Sequence, residues 1–432
     1  MMWQKDLETM SRKDIEALQL ERLRFIVDYA DKRVPFYHKK LEELGVTAEK
    51  IKTLSDVKYL PMTTKTDLRD HYPYGFFAVP MREIVRLHAS SGTTGKPIVG
   101  GYTRNDLNNW ADCVARVCTA AGITDEDIVQ ISFGYGMFTG ALGLHYGLEK
   151  IGATVVPASS GNTERQLMML QDFGVTGLVS TPSYAIYMSE VAREKGMDGF
   201  KLKTGLFGSE GCTPEMRTKI EENFHLFATD NYGLTELGGP GVAGECEYRC
   251  GLHIAEDHYL AEIIDPDTLE PKAPGETGEL VITTLTKEGV PMIRYRTKDI
   301  SRIHYEPCRC GRTHARMEKV MGRTDDMLII KGVNVFPSQI ESVLMTIPNI
   351  GAHYQLIITR SSKFMDNLEV KVELINGDLL ERYKELEQLR EDIRAQLRST
   401  LRLDVKVTLV EPKTLQRFEG KAKRILDLRN EH

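Results

Sequence analysis

Five short runs decide the architecture: DIVQISF at 127–133, TVVPAS at 154–159, TGLVSTPS at 176–183, TGLFGSE at 204–210 and HLFATDNYG at 225–233. Each is rich in β-branched or apolar residues, each closes on small or polar turn residues, and helical stretches lie between them. That alternation predicts an α/β domain with a largely parallel sheet. Among the helices, LNNWADCVARVCTAAG places Leu107, Trp110, Val114, Val117 and Ala121 at helical spacing, and Thr213 followed by Pro214 reads as an N-cap and a first-turn proline.

Outward from this core the pattern changes twice. Residues 258–305 become alternating segments broken by Pro and Gly (YLAEIIDP, GELVITTLT, PMIRYRT), as an antiparallel subdomain over about 245–320 requires. Beyond Gly322, AHYQLIITR and NLEVKVELI alternate as strands. DLLERYKELEQLREDIRAQLRSTLR then sets Leu379, Tyr383, Leu386, Leu389, Ile393 and Leu397 on one helical face, and DVKVTLV alternates once more. The expected organisation is a large α/β domain over 1–322, with mixed parallel sheets and the β-rich subdomain, followed by a small α+β domain over 323–432. At 432 residues, two cores are more natural than one.

Composition narrows the function classes. The chain is 41% hydrophobic and 27% charged with a net charge of -6, which suggests no nucleic-acid partner. No run approaches the roughly 18 apolar residues of a membrane span, and the opening MMWQKDLETMSRKD is charged, so no membrane association and a cytoplasmic location are expected.

The stretch Ser90-Ser91-Gly92-Thr93-Thr94-Gly95-Lys96-Pro97 can offer backbone N–H groups, hydroxyls and a cation to phosphate oxygens. It is not a Walker A loop, because Ser90 and Pro97 stand where that motif needs Gly and a Mg²⁺-binding hydroxyl. Taken alone it serves equally as a flexible surface turn. The same holds elsewhere: Asp299 alone reads as a structural ion pair, Tyr232 as a packed ring, Glu236 as a solvated acid and Lys421 as a charge in a basic tail.

Taken in order, these segments resemble the adenylate-forming superfamily of acyl-CoA synthetases, luciferases and peptide-synthetase adenylation domains. SSGTTGKP is similar to its phosphate loop, Asn231-Tyr232-Gly233-Leu234-Thr235-Glu236 to its aromatic-Gly-x-Thr-Glu motif, and Tyr295-Arg296-Thr297-Lys298-Asp299 to its ribose segment. Gly322-Arg323-Thr324-Asp325-Asp326 resembles its hinge and Gly420-Lys421 its C-terminal lysine. The wording of FGYGMFTGALGLHYG, LTKEGVPMIRYRTKD and GRTDDMLIIKGVNVFPSQIE is closest to phenylacetate-CoA ligases.

The resemblance implies an enzyme that activates an aryl acid with ATP as an acyl-adenylate and passes the acyl group to coenzyme A, releasing AMP and pyrophosphate. It implies Lys421, Glu236 and Thr235 as catalytic residues, with Mg²⁺ on Glu236. Ser90 to Lys96, Ser209, Glu210, Gly211, Asn231, Tyr232, Gly233, Asp299 and Arg323 would hold the nucleotide. Tyr135, Phe138, Gly140 and Ala141 would shape the acyl pocket, and Lys331 and Gly332 would approach CoA. The small domain would be mobile, swinging about Asp325, and the family suggests a homodimer.

Physical chemistry supports the set. Joining a carboxylate to an α-phosphate brings two anions together, so the site must supply positive charge in a desolvated place. FGYG, STPSY, FGSEG and NYGLTE all fall at carboxyl ends of expected strands, where open α/β sheets bind ligands.

Four of the seven cysteines crowd into 246–310. Cys246, His253, Cys308 and Cys310 make a candidate structural zinc set, with Cys250 spare; packed reduced thiols are the bland alternative. Cys113 and Cys118 belong to a helix core, and Cys212 receives no role. Two other functions compete with the ligase reading: adenylyl transfer to a non-CoA acceptor such as a deazaflavin cofactor, and nucleotide binding without turnover.

Overall fold

The computed structural model describes residues 1–429 apart from 91–95, 327, 332, 361–365 and 419–421, and apart from the side chains of 329 and 334. A nine-stranded sheet forms the body. Its parallel part runs 227–234, 204–207, 177–180, 128–131, 154–156 in spatial order, so the five runs quoted above become five neighbouring strands. Helices Arg104–Ala120, Thr139–Ile151, Thr163–Asp172, Pro182–Glu194 and Pro214–Phe224 connect or flank them.

The caps are those the sequence announces. The hydroxyl of Thr213 accepts from Met216 N ahead of Pro214, and Thr103 and Asp106 form a capping box at the start of the Trp110 helix. That helix buries Trp110, Val114, Val117 and Cys118, with Ala121 just beyond it, against Leu144 and Leu148. It approaches the 139–151 helix where Gly143 leaves no side chain: a Cβ there would lie 2.2 Å from Trp110 Cζ2. Cys113 and Cys118 are buried, as expected of core thiols.

The β-rich stretch divides between two sheets. Strands Gly239–Glu245, Leu252–Ile254, Arg316–Met317 and Ile303–His304 extend the parallel sheet antiparallel from Phe227–Leu234. Tyr259–Ile264, Gly278–Thr284, Tyr295–Ser301 and Gly322–Arg323 form a separate antiparallel sheet. Gly322 and Arg323 therefore belong to the large body, and the chain leaves it only at 324.

The C-terminal part builds a four-stranded sheet in the order 406–410, 366–374, 350–360, 425–427, beside a hairpin of Leu328–Ile330 and Val333–Val335. Ile340 and Leu344 of helix Pro337–Met345, and Ile393, Leu397 and Leu401 of helix Tyr383–Leu401, close its core over Leu356, Ile358, Val370 and Val372. The long helix is shorter than its sequence pattern. Leu379 lies in a separate 3₁₀ turn, Gly377–Glu381, and Tyr383 is 73% exposed, so the inward face is set by the Ile393, Leu397, Leu401 spacing. Among the described residues, no helix is long and apolar enough to cross a membrane.

Candidate active site

The loops at the carboxyl ends of the parallel strands meet at one edge. Ser90 closes the hairpin between Arg86–Ala89 and Val99–Tyr102: its N–H donates to Ile98 O and its hydroxyl accepts from Ile98 N, both at 2.9 Å. Ser91, Gly92, Thr93, Thr94 and Gly95 lie outside the described residues, and Lys96 Nζ stands 5.4 Å over the Tyr72 ring. The hairpin is tied to the proposed acyl segment, because Met137 O accepts from Ala89 N at 2.9 Å and from His88 Nδ1 at 3.1 Å. Thr139, just beyond, brings its hydroxyl within 3.4 Å of Thr235 Oγ1.

The tightest part of the site is polar. Tyr232 donates its hydroxyl to Asp299 Oδ2 at 2.6 Å, and Arg323 Nη1 donates to Asp299 Oδ1 at 2.7 Å. The other arms of Arg323 reach Asp325 at 2.9 and 3.0 Å. Burial raises the Asp299 carboxyl above its ordinary range, against the pull of the Arg323 guanidinium. Burial, with the Asp299 charge beside it, also holds the Tyr232 hydroxyl well above its own range, so the phenol stays a donor. Asn231 anchors the next strand by donating Nδ2 to Phe207 O at 2.9 Å. Gly208 is needed there, since a Cβ would meet Asn231 Nδ2 at 2.7 Å.

Glu236 is buried, with Lys65 Nζ 4.0 Å from Oε1. Beneath it, Lys287 donates to Glu236 O at 3.0 Å, and burial brings the Lys287 amine down to about 8. Both lysines escaped the sequence reading. Lys65 sits in a short capped helix far from any motif; Lys287 lies in a polar Thr-Lys-Glu-Gly turn whose sequence gives no sign of burial.

Other expected residues fall less neatly. Glu210 accepts from Ser183 N at 2.7 Å and from Ala422 N at 3.3 Å, so it bridges the two domains; Ser209, with φ of 69°, and Gly211 are exposed beside it. Tyr135 donates to or accepts from His145 Nδ1 at 3.0 Å, Phe138 is half-exposed, Gly140 faces Phe133, and Ala141 is wholly buried in the core with Leu144. The methyl of Ala141 therefore packs in the core of the large domain. Lys331 is exposed at the hairpin turn, while Gly332 and Lys421 lie outside the described residues.

Away from this edge, the ligand atoms of Cys246, His253, Cys308 and Cys310 lie within 4.8 Å of one another. Cys246 Sγ is 3.7 Å from Cys308 Sγ, and Cys310 Sγ is 3.5 Å from His253 Nε2. A tetrahedral zinc with ordinary bond lengths demands edges of about 3.8 Å between sulfurs and about 3.6 Å between sulfur and nitrogen. Cys250 is exposed and sits 3.3 Å from Cys308 Sγ, outside the set of four. Hydrogen bonds from Cys246 and then His253 hold the Cys310 thiol far below its usual range, the thiolate character a metal ligand needs.

The fold and this edge define an adenylate-forming enzyme. The AMP-binding enzyme family model matches residues 16–286, and the AMP-binding enzyme C-terminal domain matches 332–429. The phenylacetate-coenzyme A ligase of Thermus thermophilus is 47% identical over 99% of this chain and 100% of its own, and that of Escherichia coli is 46% identical over 98% and 97%. The chain belongs to the phenylacetate-CoA ligase family, and is an ATP-dependent, AMP-forming acid-CoA ligase.

Solved structures add the pose. A 2-hydroxyisobutyryl-CoA ligase in the postadenylation state, with 2-HIB-AMP, superposes with a TM-score of 0.93 at 30% identity, covering 99% of this chain and 92% of that one. The same ligase in the thioesterification state, with CoA, covers 99% and 93% at 31% identity but scores 0.74. The two domains here stand closer to the postadenylation arrangement.

Proposed function

We propose that this enzyme ligates phenylacetate or a closely related aryl acid to coenzyme A through an acyl-adenylate. The observation that carries the reading is the Tyr232–Asp299–Arg323–Asp325 chain, which ties a nucleotide-side carboxylate to the hinge at the carboxyl edge of the sheet. In the first half-reaction a carboxylate oxygen of the acid attacks the α-phosphorus of ATP and pyrophosphate departs. In the second, the CoA sulfur attacks the acyl carbon and AMP departs.

Asp299, as an acceptor, would receive the ribose hydroxyls, and Tyr232 would offer a face to adenine. Glu236 would hold Mg²⁺, which supplies charge neutralisation on the phosphates, with Thr235 beside it as a catalytic residue. Lys421 would stabilise the pentacoordinate charge during adenylation and leave when the C-terminal domain turns at Asp325. Tyr135, Phe138 and Gly140 border the expected acyl site; Lys331 and Gly332 are offered as CoA contacts. A homodimer and a cytoplasmic location complete the reading.

Incubation with ATP and phenylacetate, with and without CoA, tests the reaction: AMP together with phenylacetyl-CoA is expected. AMP without thioester would move the reading to another acceptor, and light scattering tests the dimer. Lys421→Ala should abolish adenylation and spare thioester formation from supplied acyl-adenylate; equal loss of both would refute its role.

The cysteine cluster would carry structural zinc, since four protein ligands leave no open position for chemistry. Elemental analysis of protein purified without added metal should give about one zinc per chain; a ratio near zero sinks this assignment.

A further inference from the structure

The segment that precedes Lys421 in sequence is held by one buried carboxylate. Glu373, in strand Asp366–Leu374, is 2% exposed, and its carboxylate accepts four hydrogen bonds. Oε2 takes Lys413 N at 3.1 Å and Arg417 Nη2 at 2.7 Å; Oε1 takes Leu415 N at 2.6 Å and Arg417 Nη1 at 2.8 Å. Arg417 Nη1 returns to the same segment, donating to Leu415 O at 3.0 Å.

A carboxylate buried to this degree is costly unless donors replace its water, and here every replacing donor comes from one stretch of five residues. Glu373 is not part of the apolar core of its domain, which is made by the 340–344, 356–372 and 393–407 side chains. Its whole binding capacity is spent on shaping 413–417.

The far side of the lysine is pinned too. Ala422 N donates to Glu210 of the large domain at 3.3 Å, and the Arg424 guanidinium stands 4.2 Å over the Tyr354 ring while pairing with Glu341 at 2.6 Å. The described chain is therefore held at 413–417 before the lysine in sequence and at 422–424 after it.

We propose that Glu373 and Arg417 are positioning residues for the adenylation half-reaction, a bidentate clamp on the segment 413–417 that precedes Lys421. This rests on the reading of Lys421 given above. Because the clamp lies wholly within the C-terminal domain, it travels with that domain and acts only in the pose that presents the lysine.

The test uses the full chain with Glu373→Gln, Arg417→Met, Arg417→Lys, the Gln/Met double variant and Lys421→Ala. Adenylation is followed by ATP–pyrophosphate exchange, thioester formation from chemically prepared phenylacetyl-adenylate, and folding by thermal melting. Glu373→Gln and Arg417→Met should each lower exchange roughly 10- to 100-fold and leave thioester formation within about twofold, as expected for a displaced catalytic group. The double variant should be no worse than the worse single, since both remove one interaction, and Arg417→Lys should recover part of the loss.

Full exchange activity in Arg417→Met beside an inactive Lys421→Ala overturns the clamp and leaves the lysine reading intact. An exchange-competent Lys421→Ala overturns the lysine reading itself. Equal loss of both half-reactions in Arg417→Met, tracking a lowered melting temperature, also overturns the proposal, because the pair is then merely structural. Should Glu373→Gln fail to fold, the more exposed Arg417 still decides.

Discussion

Changing Tyr232 to Phe removes one hydroxyl from the nucleotide edge and keeps the ring. That hydroxyl donates at 2.6 Å to an Asp299 carboxylate whose side chain is only 5% exposed, leaving Arg323 as the other side-chain partner. A hydrogen bond to a charged group contributes about 1.5–3 kcal/mol, or roughly 10- to 150-fold in any equilibrium that depends on ionised Asp299. If the ribose binds that carboxylate, Tyr232→Phe should raise KM for ATP by about tenfold or more and leave kcat near the parent value, because the stacking face survives.

The pH profile carries a second signature. Burial already raises the Asp299 carboxyl, and the phenol opposes this by favouring the ionised form. Its loss moves the carboxyl further up, so the acid limb of kcat/KM for ATP should shift to higher pH. The sign on stability is the reverse of a paired carboxylate's: a raised folded pKa contributes stability below the ordinary carboxylate range, and it is lost as pH rises through the folded value. Tyr232→Phe should thus compare best with the parent under acid conditions. Steady-state kinetics against ATP from pH 5 to 9 reads both effects. An unchanged KM with an unmoved acid limb would refute the role given to Asp299.

Three further outcomes are expected. Burial holds the His258 imidazole down from 6.5 to about 4, against the attraction of Asp257 Oδ2 at 3.3 Å and beside Thr286 Oγ1 at 2.7 Å. The unfolded chain then takes up a proton that the fold refuses, so acidification from 6.5 to 4 should cost up to about 3 kcal/mol. His258→Gln should flatten that part of the stability curve, and a parallel curve would contradict it. Arg116→Met removes the bidentate partner of Asp257, whose bonds at 2.5 and 2.8 Å are buried, and should cost about 3–5 kcal/mol in chemical denaturation. Leu397→Ala opens the wholly buried core of the C-terminal domain and should cost about 2–5 kcal/mol in the melting of that domain.

The parallel core was legible because its strands are continuous apolar runs with turn residues at their carboxyl ends. Thr213-Pro214 and the 103–106 box were equally plain, since cap chemistry is local. What escaped was set by tertiary contact. No spacing shows that the β-rich stretch splits between two sheets, because hairpin patterns look alike on either. Lys65 meets Glu236 across the fold, and Lys287 comes up beneath it from the loop after strand Gly278–Thr284. Ala141, a small residue in an aromatic-glycine run, resembles a pocket floor in sequence, yet the turn of the 139–151 helix carries its methyl into the core. The cysteine set was readable by chemistry, and its grouping follows from the antiparallel extension that lays 252–254 against 316–317.

Magnitudes decide which end of the Arg323 bridge would yield in the turn proposed at Asp325. Its bond to Asp299 joins side chains that are 25% and 5% exposed, and breaking such a pair by removing one partner costs about 3–5 kcal/mol when it is buried. Its bonds to Asp325 reach a carboxylate that is 47% exposed, where an ion pair contributes only about 0–1 kcal/mol. Strand pairing points the same way, since Arg323 is in register with Asp299 inside the antiparallel sheet of the large body and Asp325 lies beyond its end. The proposed rotation after 324 would therefore release the weak, solvated side and leave the Asp299–Arg323 pair whole. Arg323 would stay with the large body, because its bond to the buried Asp299 outweighs its bonds to the exposed Asp325.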